Sequence, residues 1–198
     1  MITSKTSFLA LIGNPVIHSM SPIMQNAAIK YLGLDLIYLA GPCENNDLAT
    51  VINSLKKMNC KGLNITIPFK QKVFDMCSEI SPVAKKVKAI NTLKLKEDKN
   101  WSGTNTDIDG FIYPLKNLDL RKKTSIIIGS GGAARSVIQG LKNLKLSKIT
   151  VISRNRNSLN ELISNFKDDI KIEGLLNTNK EINNFIQETD LIVNTTPV

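Results

Sequence analysis

Asn64-Ile65-Thr66-Ile67-Pro68-Phe69-Lys70 could do chemistry. Its first half alternates polar and β-branched residues, as a short strand does. Pro68 stops it, because proline cannot donate to a sheet ladder. Asn, Thr and Lys then stand at the carboxyl end of a strand, the edge where open parallel sheets bind ligands. A second motif, Gly129-x-Gly131-x-x-Ala134, follows the apolar run Ile126-Ile127-Ile128 and opens a helical pattern. That is the context a dinucleotide-binding turn requires. Gly129 permits the tight turn, Gly131 lets backbone approach a pyrophosphate, and Ala134 is small enough for helix–sheet packing. The helix start offers free N–H groups and a positive dipole.

The next strand ends in Ser153-Arg154-Asn155-Arg156, where an NAD site would carry an acid. Guanidinium groups bind phosphate bidentately, so this turn suits the 2′-phosphate of NADP. Arginine at a helix start opposes the dipole, which a bound phosphate would offset. Hydride chemistry also needs a proton partner. His18 is the single histidine and reads as a structural residue in a turn; Lys70 is the alternative, with Asp107 to orient and balance it. Both follow extended segments and could face one cleft between domains.

The elements that position these groups alternate strand and helix. Ser7–Gly13 reads as a buried strand. Ser21 caps a helix with Pro22 at its first position and an apolar stripe of Ile23, Met24, Ala27, Ala28, Tyr31 and Leu32. A strand over 35–40, a helix after Asp47 and a strand from Lys61 continue the alternation, which implies parallel strands and right-handed crossovers. Residues 89–95 and 101–107 read as two antiparallel edge elements. The pattern predicts a mostly parallel α/β domain over 1–107, which carries Lys70 and the candidate substrate side of a site, and a Rossmann-type dinucleotide-binding domain over 108–198. The latter would have strands at 124–128, 148–153, 170–172 and 190–194, with a helix over 158–166.

Composition narrows the class. The chain has 198 residues, 42% hydrophobic, and a formal charge of +9. Its lysines are scattered, without a basic run interleaved with aromatics, which argues against nucleic acid. No apolar run approaches a membrane span, and the N-terminus has no signal-peptide pattern. Cys43, Cys60 and Cys77 are widely spaced, as for free thiols in a reducing cytoplasm. No ligand cluster suggests a metal.

Taken in order, 13–22 (GNPVIHSMSP), 64–70 (NITIPFK), 89–93 (AINTL), 103–110 (GTNTDIDG) and 129–135 (GSGGAAR) resemble the successive signatures of the shikimate dehydrogenases. The resemblance implies NADP-dependent, reversible reduction of 3-dehydroshikimate to shikimate, in the pathway to chorismate and the aromatic amino acids. It implies Lys70 and Asp107 as the catalytic pair. Ser19 and Ser21 would hold the substrate carboxylate, and Thr66, Asn91 and Asp107 would contact substrate. Gly129, Ser130, Gly131, Gly132, Ala133, Ser153, Arg154, Asn155, Arg156 and Thr195 would bind NADP. Ser153 and Asn155 depart from the family's usual Asn-Arg-Thr. The family pattern continues past Pro197-Val198, so the resemblance implies a C-terminally truncated chain with an incomplete cofactor domain. A broader quinate/shikimate dehydrogenase and a non-catalytic binding module are the rival readings. A homodimer is one assembly compatible with the chain.

Overall fold

The computed structural model describes residues 2–167 and 170–196. The expectation of a chain cut after Pro197-Val198 therefore falls outside the described residues. The chain divides into two compact units, Met1–Asn105 and Thr106–Val198. Asp107, expected to close the first domain, falls in the second unit.

The first unit holds β1 (Ser7–Gly13), α1 (Ser21–Tyr31), β2 (Leu36–Pro42), α2 (Leu48–Lys57), β3 (Gly62–Ile65), β4 (Glu79–Ile80), α3 (Pro82–Val87), β5 (Thr92–Leu95) and β6 (Trp101–Thr104). They form one sheet in the order β2-β1-β3-β5-β6-β4. β2, β1 and β3 run parallel, as the alternating pattern requires, and β5 then pairs antiparallel with β3 and with β6. The edge next to β6 is not bare. The two-residue β4, too short to carry a periodicity, pairs with it in parallel.

Side-chain alternation along these strands separates two cores. Ala10, Ile12, Leu63, Ile65, Leu93 and Trp101 pack with Leu48 and Ile52 of α2. Leu11 and Tyr38 face Ile29 of α1 on the other side.

Helix α1 departs from its expected orientation. Ile23, Met24, Tyr31 and Leu32 are exposed, and Ile29 is its buried residue. The reason is polar. Asn26 on α1 donates to the Pro22 and Tyr38 carbonyls at 2.8 Å each, and accepts from the Tyr38 N–H at 2.8 Å. β2 is an edge strand, and this carboxamide satisfies its outward backbone groups as a neighbouring strand would. The face carrying Asn26 therefore turns to the sheet. Ser21 is the first helical residue rather than the cap, which is Met20 without a side-chain bond.

The second unit contains α4 (Asp107–Ile112), β7 (Thr124–Ile128), α5 (Gly132–Asn143), β8 (Lys148–Ser153), α6 (Arg156–Phe166), β9 (Ile172–Leu176), α7 (Ile182–Gln187) and β10 (Leu191–Asn194). The sheet is all parallel in the order β10-β7-β8-β9. From β7 the chain winds outward through β8 to β9, then returns to the other side of β7 as β10. That reversal makes the carboxyl end of β7 a switch point, as in dinucleotide-binding sheets. β9 lies further along than the expected 170–172, because Gly174 is a strand residue rather than a breaker. A Cβ there would stand 2.6 Å from Ile163 Cδ1, so the glycine admits α6 against the sheet. Among the described residues, no helix is long and apolar enough to cross a membrane.

Two positions make the packing testable. A Cβ on Gly13 would overlap the Thr66 methyl and lie 2.9 Å from the Ile67 carbonyl, a backbone atom that cannot yield cheaply. Gly13→Ala is expected to lower unfolding free energy by about 1–3 kcal/mol in urea titrations, the range for overpacking. Asp190 ties the approach to β10 onto the start of β7. Its carboxylate accepts from the Thr124 N–H at 2.8 Å and pairs with Lys123 Nζ at 2.9 Å. The Thr124 amide, then Lys123, hold this carboxyl below its ordinary 3.8. A depressed folded pKa stabilises above the unfolded value and loses that contribution as pH falls through the folded one. The stability gap between wild type and Asp190→Asn should therefore be constant near neutrality and shrink below about pH 4, read by denaturant titration across pH.

Candidate active site

The polar residues of the first unit gather where β1 and β3 end. β3 stops at Ile65, two residues before the expected Ile67. The Thr66 N–H still donates to the Ile12 carbonyl at 2.9 Å, and the Asn14 N–H returns to the Ile67 carbonyl at 2.8 Å. The Ile67–Pro68 bond is cis. Phe69 and Val73 are fully buried on either side of Lys70. The Lys70 carbonyl accepts from the Ile90 N–H at 2.7 Å. Thus the backbone carrying the half-buried Lys70 is anchored before, at and after it, and is stitched to the segment leading to Asn91. A short 3-10 turn follows at Phe74–Met76.

A chain of side-chain bonds runs beneath these groups. Tyr38, 3% exposed, donates its phenolic proton to Asn64 Oδ1 at 2.8 Å. Asn64 Nδ2 donates to Thr92 Oγ1 at 3.3 Å, its cross-strand neighbour in register. Thr92 Oγ1 donates to Asn91 Oδ1 at 3.0 Å. Burial pushes the Tyr38 phenol up, and the Ser21 hydroxyl draws it partly back; the group stays a neutral donor near neutral pH. Ser19 Oγ accepts from the Ser21 N–H at 3.2 Å. Thr66, Lys70 and Asn91, named from sequence, are thereby held by one strand-end framework, and Ser19 and Ser21 are joined to each other at the start of α1. Tyr38 was not named, because an aromatic in a strand reads as core. Its signal was only that a buried phenol needs a partner. His18 is exposed in the turn rather than packed.

In the second unit Asp107 is the first residue of α4 and half-buried. The glycine turn follows β7 as expected. Gly129 has φ +109, open to glycine at little cost, and a Cβ would stand 2.6 Å from Thr195 Oγ1. Thr195 itself donates its hydroxyl to the Ile128 carbonyl at 2.7 Å. Gly131 precedes the first residue of α5, and a Cβ there would meet nothing within 4 Å. Gly132 and Ala133 are the first residues of α5, while Ala134 is fully buried against the sheet. The backbone start of a twelve-residue helix thus faces open space, which fits a pyrophosphate.

The arginine turn also differs from expectation. α6 begins at Arg156, two residues earlier than the apolar pattern indicates, because Asn155 caps it by accepting the Ser158 N–H at 3.0 Å. Arg154 and Arg156 are both exposed. Arg156 lines a cavity of about 340 Å³ beside Asn160, Gly174 and Asn179. Ser153, 6% exposed, and Ser158 each contact the Ser130 hydroxyl, at 2.8 and 2.7 Å. Ser158 was not named from sequence. Among the described residues, no group of three His, Cys, Asp or Glu is placed to hold a metal.

The framework makes a stability prediction. Asn64→Ala leaves the buried Tyr38 hydroxyl without its acceptor and Thr92 without its donor. It should cost about 1–3 kcal/mol of unfolding free energy, the range for an unsatisfied buried group, measured by urea titration.

Comparison with known proteins places this geometry. Residues 11–93 match the family of shikimate dehydrogenase substrate-binding domains, and residues 114–197 match the shikimate/quinate 5-dehydrogenase family. Over all 198 residues the chain is 83% identical to the shikimate dehydrogenase (NADP(+)) of Prochlorococcus marinus subsp. pastoris, covering 70% of that protein. The crystal structure of shikimate dehydrogenase from Aquifex aeolicus superposes over the whole chain with a TM-score of 0.89 at 34% identity, and 71% of it is covered. The enzyme from Listeria monocytogenes, solved with shikimate and NAD, gives 0.84 at 28% identity, with all of this chain and 71% of that one covered.

Proposed function

This chain belongs to the shikimate dehydrogenase family, and on that premise we propose a division of labour among its residues. The reaction is the reversible, NADP-dependent reduction of 3-dehydroshikimate to shikimate, an oxidoreduction at a CH–OH carbon. The observation that carries it is 83% identity, across every residue of the chain, to a curated NADP(+) enzyme.

Ser19 and Ser21 anchor the substrate carboxylate. Hydroxyl donors at a helix start suit a carboxylate, because charge-assisted bonds are about twice as strong as neutral ones. Thr66, Asn91 and Asp107 take the ring hydroxyls. Lys70 donates a proton to the oxygen on which negative charge develops, and takes one back in the reverse direction. Its backbone anchoring by Phe69, Val73 and Ile90 supports this role, since a proton donor must be held within hydrogen-bond reach of one atom. Asp107 is the accompanying carboxylate.

NADP, when bound, supplies or accepts the hydride. Gly129, Ser130, Gly131, Gly132 and Ala133 form the cradle for its pyrophosphate, with Thr195 beside Gly129. Arg154 and Arg156, flanking Asn155 and preceded by Ser153, meet the 2′-phosphate. The thiols Cys43, Cys60 and Cys77 are unpaired, which supports a reducing cytoplasm as the setting.

Lys70→Ala tests the assignment. Turnover in shikimate-dependent NADP reduction should fall by about 10²–10⁴-fold, the size of a general acid–base contribution, with shikimate KM changed only severalfold. Unchanged turnover would remove Lys70 from the mechanism.

A further inference from the structure

Three serines from different parts of the second unit meet at the turn between β8 and α6. Ser130 comes from the glycine turn, Ser153 ends β8, and Ser158 lies in the first turn of α6. Their contacts close into a loop. The Asn155 N–H donates to Ser153 Oγ at 3.2 Å. Ser153 and Ser130 hydroxyls are 2.8 Å apart, and Ser130 and Ser158 hydroxyls 2.7 Å. Ser158 Oγ donates to the Asn155 carbonyl at 3.2 Å.

A hydroxyl has one proton to give. One orientation lets each give once and accept once: Asn155 N–H to Ser153, Ser153 to Ser130, Ser130 to Ser158, Ser158 to the Asn155 carbonyl. Ser153 could instead turn to the Asn155 carbonyl, but that contact is 3.3 Å against 2.8 Å to Ser130. The ring thus starts and ends on the backbone of the residue between Arg154 and Arg156. Its sole member from the glycine turn is Ser130.

We propose that this hydroxyl ring is a specificity device: Ser130, Ser153 and Ser158 are positioning residues that fix the arginine turn relative to the pyrophosphate cradle, and so set the preference for a 2′-phosphorylated dinucleotide. The proposal rests on the NADP reading above. Both arginines are exposed and their side chains are long, so their reach to a phosphate depends on where the backbone between them stands. A turn already locked loses less entropy when the phosphate arrives. A dinucleotide without the 2′-phosphate uses the cradle but not the clasp, and gains nothing from the lock. The ring also gives a reason for the departure at Ser153 and Asn155. A serine at 153 is short enough to accept from its own turn and still meet Ser130, and Asn155 caps the helix the arginines begin.

Ser158 lies outside the residues assigned to cofactor contact, so Ser158→Ala opens the ring at its contact with Ser130 while every residue of the cradle and of the arginine turn is kept. The helix cap survives, because Asn155 Oδ1 bonds the Ser158 backbone N–H. Calorimetric titration of wild type, Ser158→Ala and Ser158→Thr with NADP and with NAD reads the preference directly. In Ser158→Ala the NADP Kd should rise about tenfold and the NAD Kd less than twofold, as lost preorganisation predicts. Ser158→Thr, which keeps a hydroxyl, should restore most of the difference. Amide exchange at Asn155 in the cofactor-free chain should quicken in the alanine variant alone. Equal weakening of both dinucleotides, or an unchanged ratio, overturns the proposal while leaving the NADP reading intact. A wild-type chain without preference for NADP overturns both.

Discussion

Both units depend on the same close approach of a glycine backbone to a threonine side chain. In each, a central parallel strand ends in a glycine that lies against a threonine just beyond a neighbouring parallel strand. Gly13 at the end of β1 meets Thr66 after β3, and Gly129 after β7 meets Thr195 after β10. No side chain fits at either glycine. The reward is that the ladders run to their last residue: Thr66 N–H bonds the Ile12 carbonyl, and Thr195 N–H bonds the Ile128 carbonyl. Parallel strands pointing the same way bring their carboxyl ends to one edge. What is placed at that edge is therefore set by the ladder, with little freedom left to the loops.

That edge carries polar groups out of reach of the regular ladder, and the two units satisfy them with different chemistry. The first uses long side chains with directional amides: Asn26 closes the outer edge of β2, and Tyr38 and Asn64 carry hydrogen bonds across to Thr92 and Asn91. Each neutral bond contributes roughly 1 kcal/mol net, but losing one partner strands a buried group at greater cost. Such a chain specifies orientation more than it adds stability. The second unit has little room beside its glycine turn, where Thr195 and Thr196 already crowd Gly129. There the work falls to serine, the smallest side chain that both donates and accepts.

Periodicity and turn chemistry made much of this legible. The apolar runs of β1 and β7, the glycine turn opening α5, and the parallel alternation all follow from spacing within a dozen residues. Features set by distant partners did not. β4 has two residues, so no pattern exists to read. Gly174 resembles a strand break until α6 is packed on it. The apolar stripe of α1 is strong in sequence, yet two hydrogen bonds between Asn26 and the Tyr38 backbone orient the helix otherwise. Tyr38 and Ser158 share this property: each is an ordinary residue for its element, and only its cross-element partner makes it distinctive. The motifs named most of the proposed contact residues because ligands are met at strand ends and turns, where sequence signals are sharpest. The residues beneath them answer to register, which a single strand does not encode.

The two units therefore place their reactive groups by a common hierarchy. Strand register fixes the backbone edge to within one hydrogen-bond length. Buried apolar anchors, Phe69 and Val73 around Lys70 and Ala134 after the glycine turn, then stop the adjoining loops from sliding. Only after that do polar side chains decide direction. The order matters energetically. A bond of about 1 kcal/mol cannot hold a loop whose backbone entropy costs 1–2 kcal/mol per residue, but it can choose among rotamers once apolar burial has already ordered the chain. A lysine or an arginine on such a loop acquires a defined reach without being buried itself. That reconciles the half-buried Lys70 and the exposed Arg154 and Arg156 with the roles proposed for them, which demand precise placement.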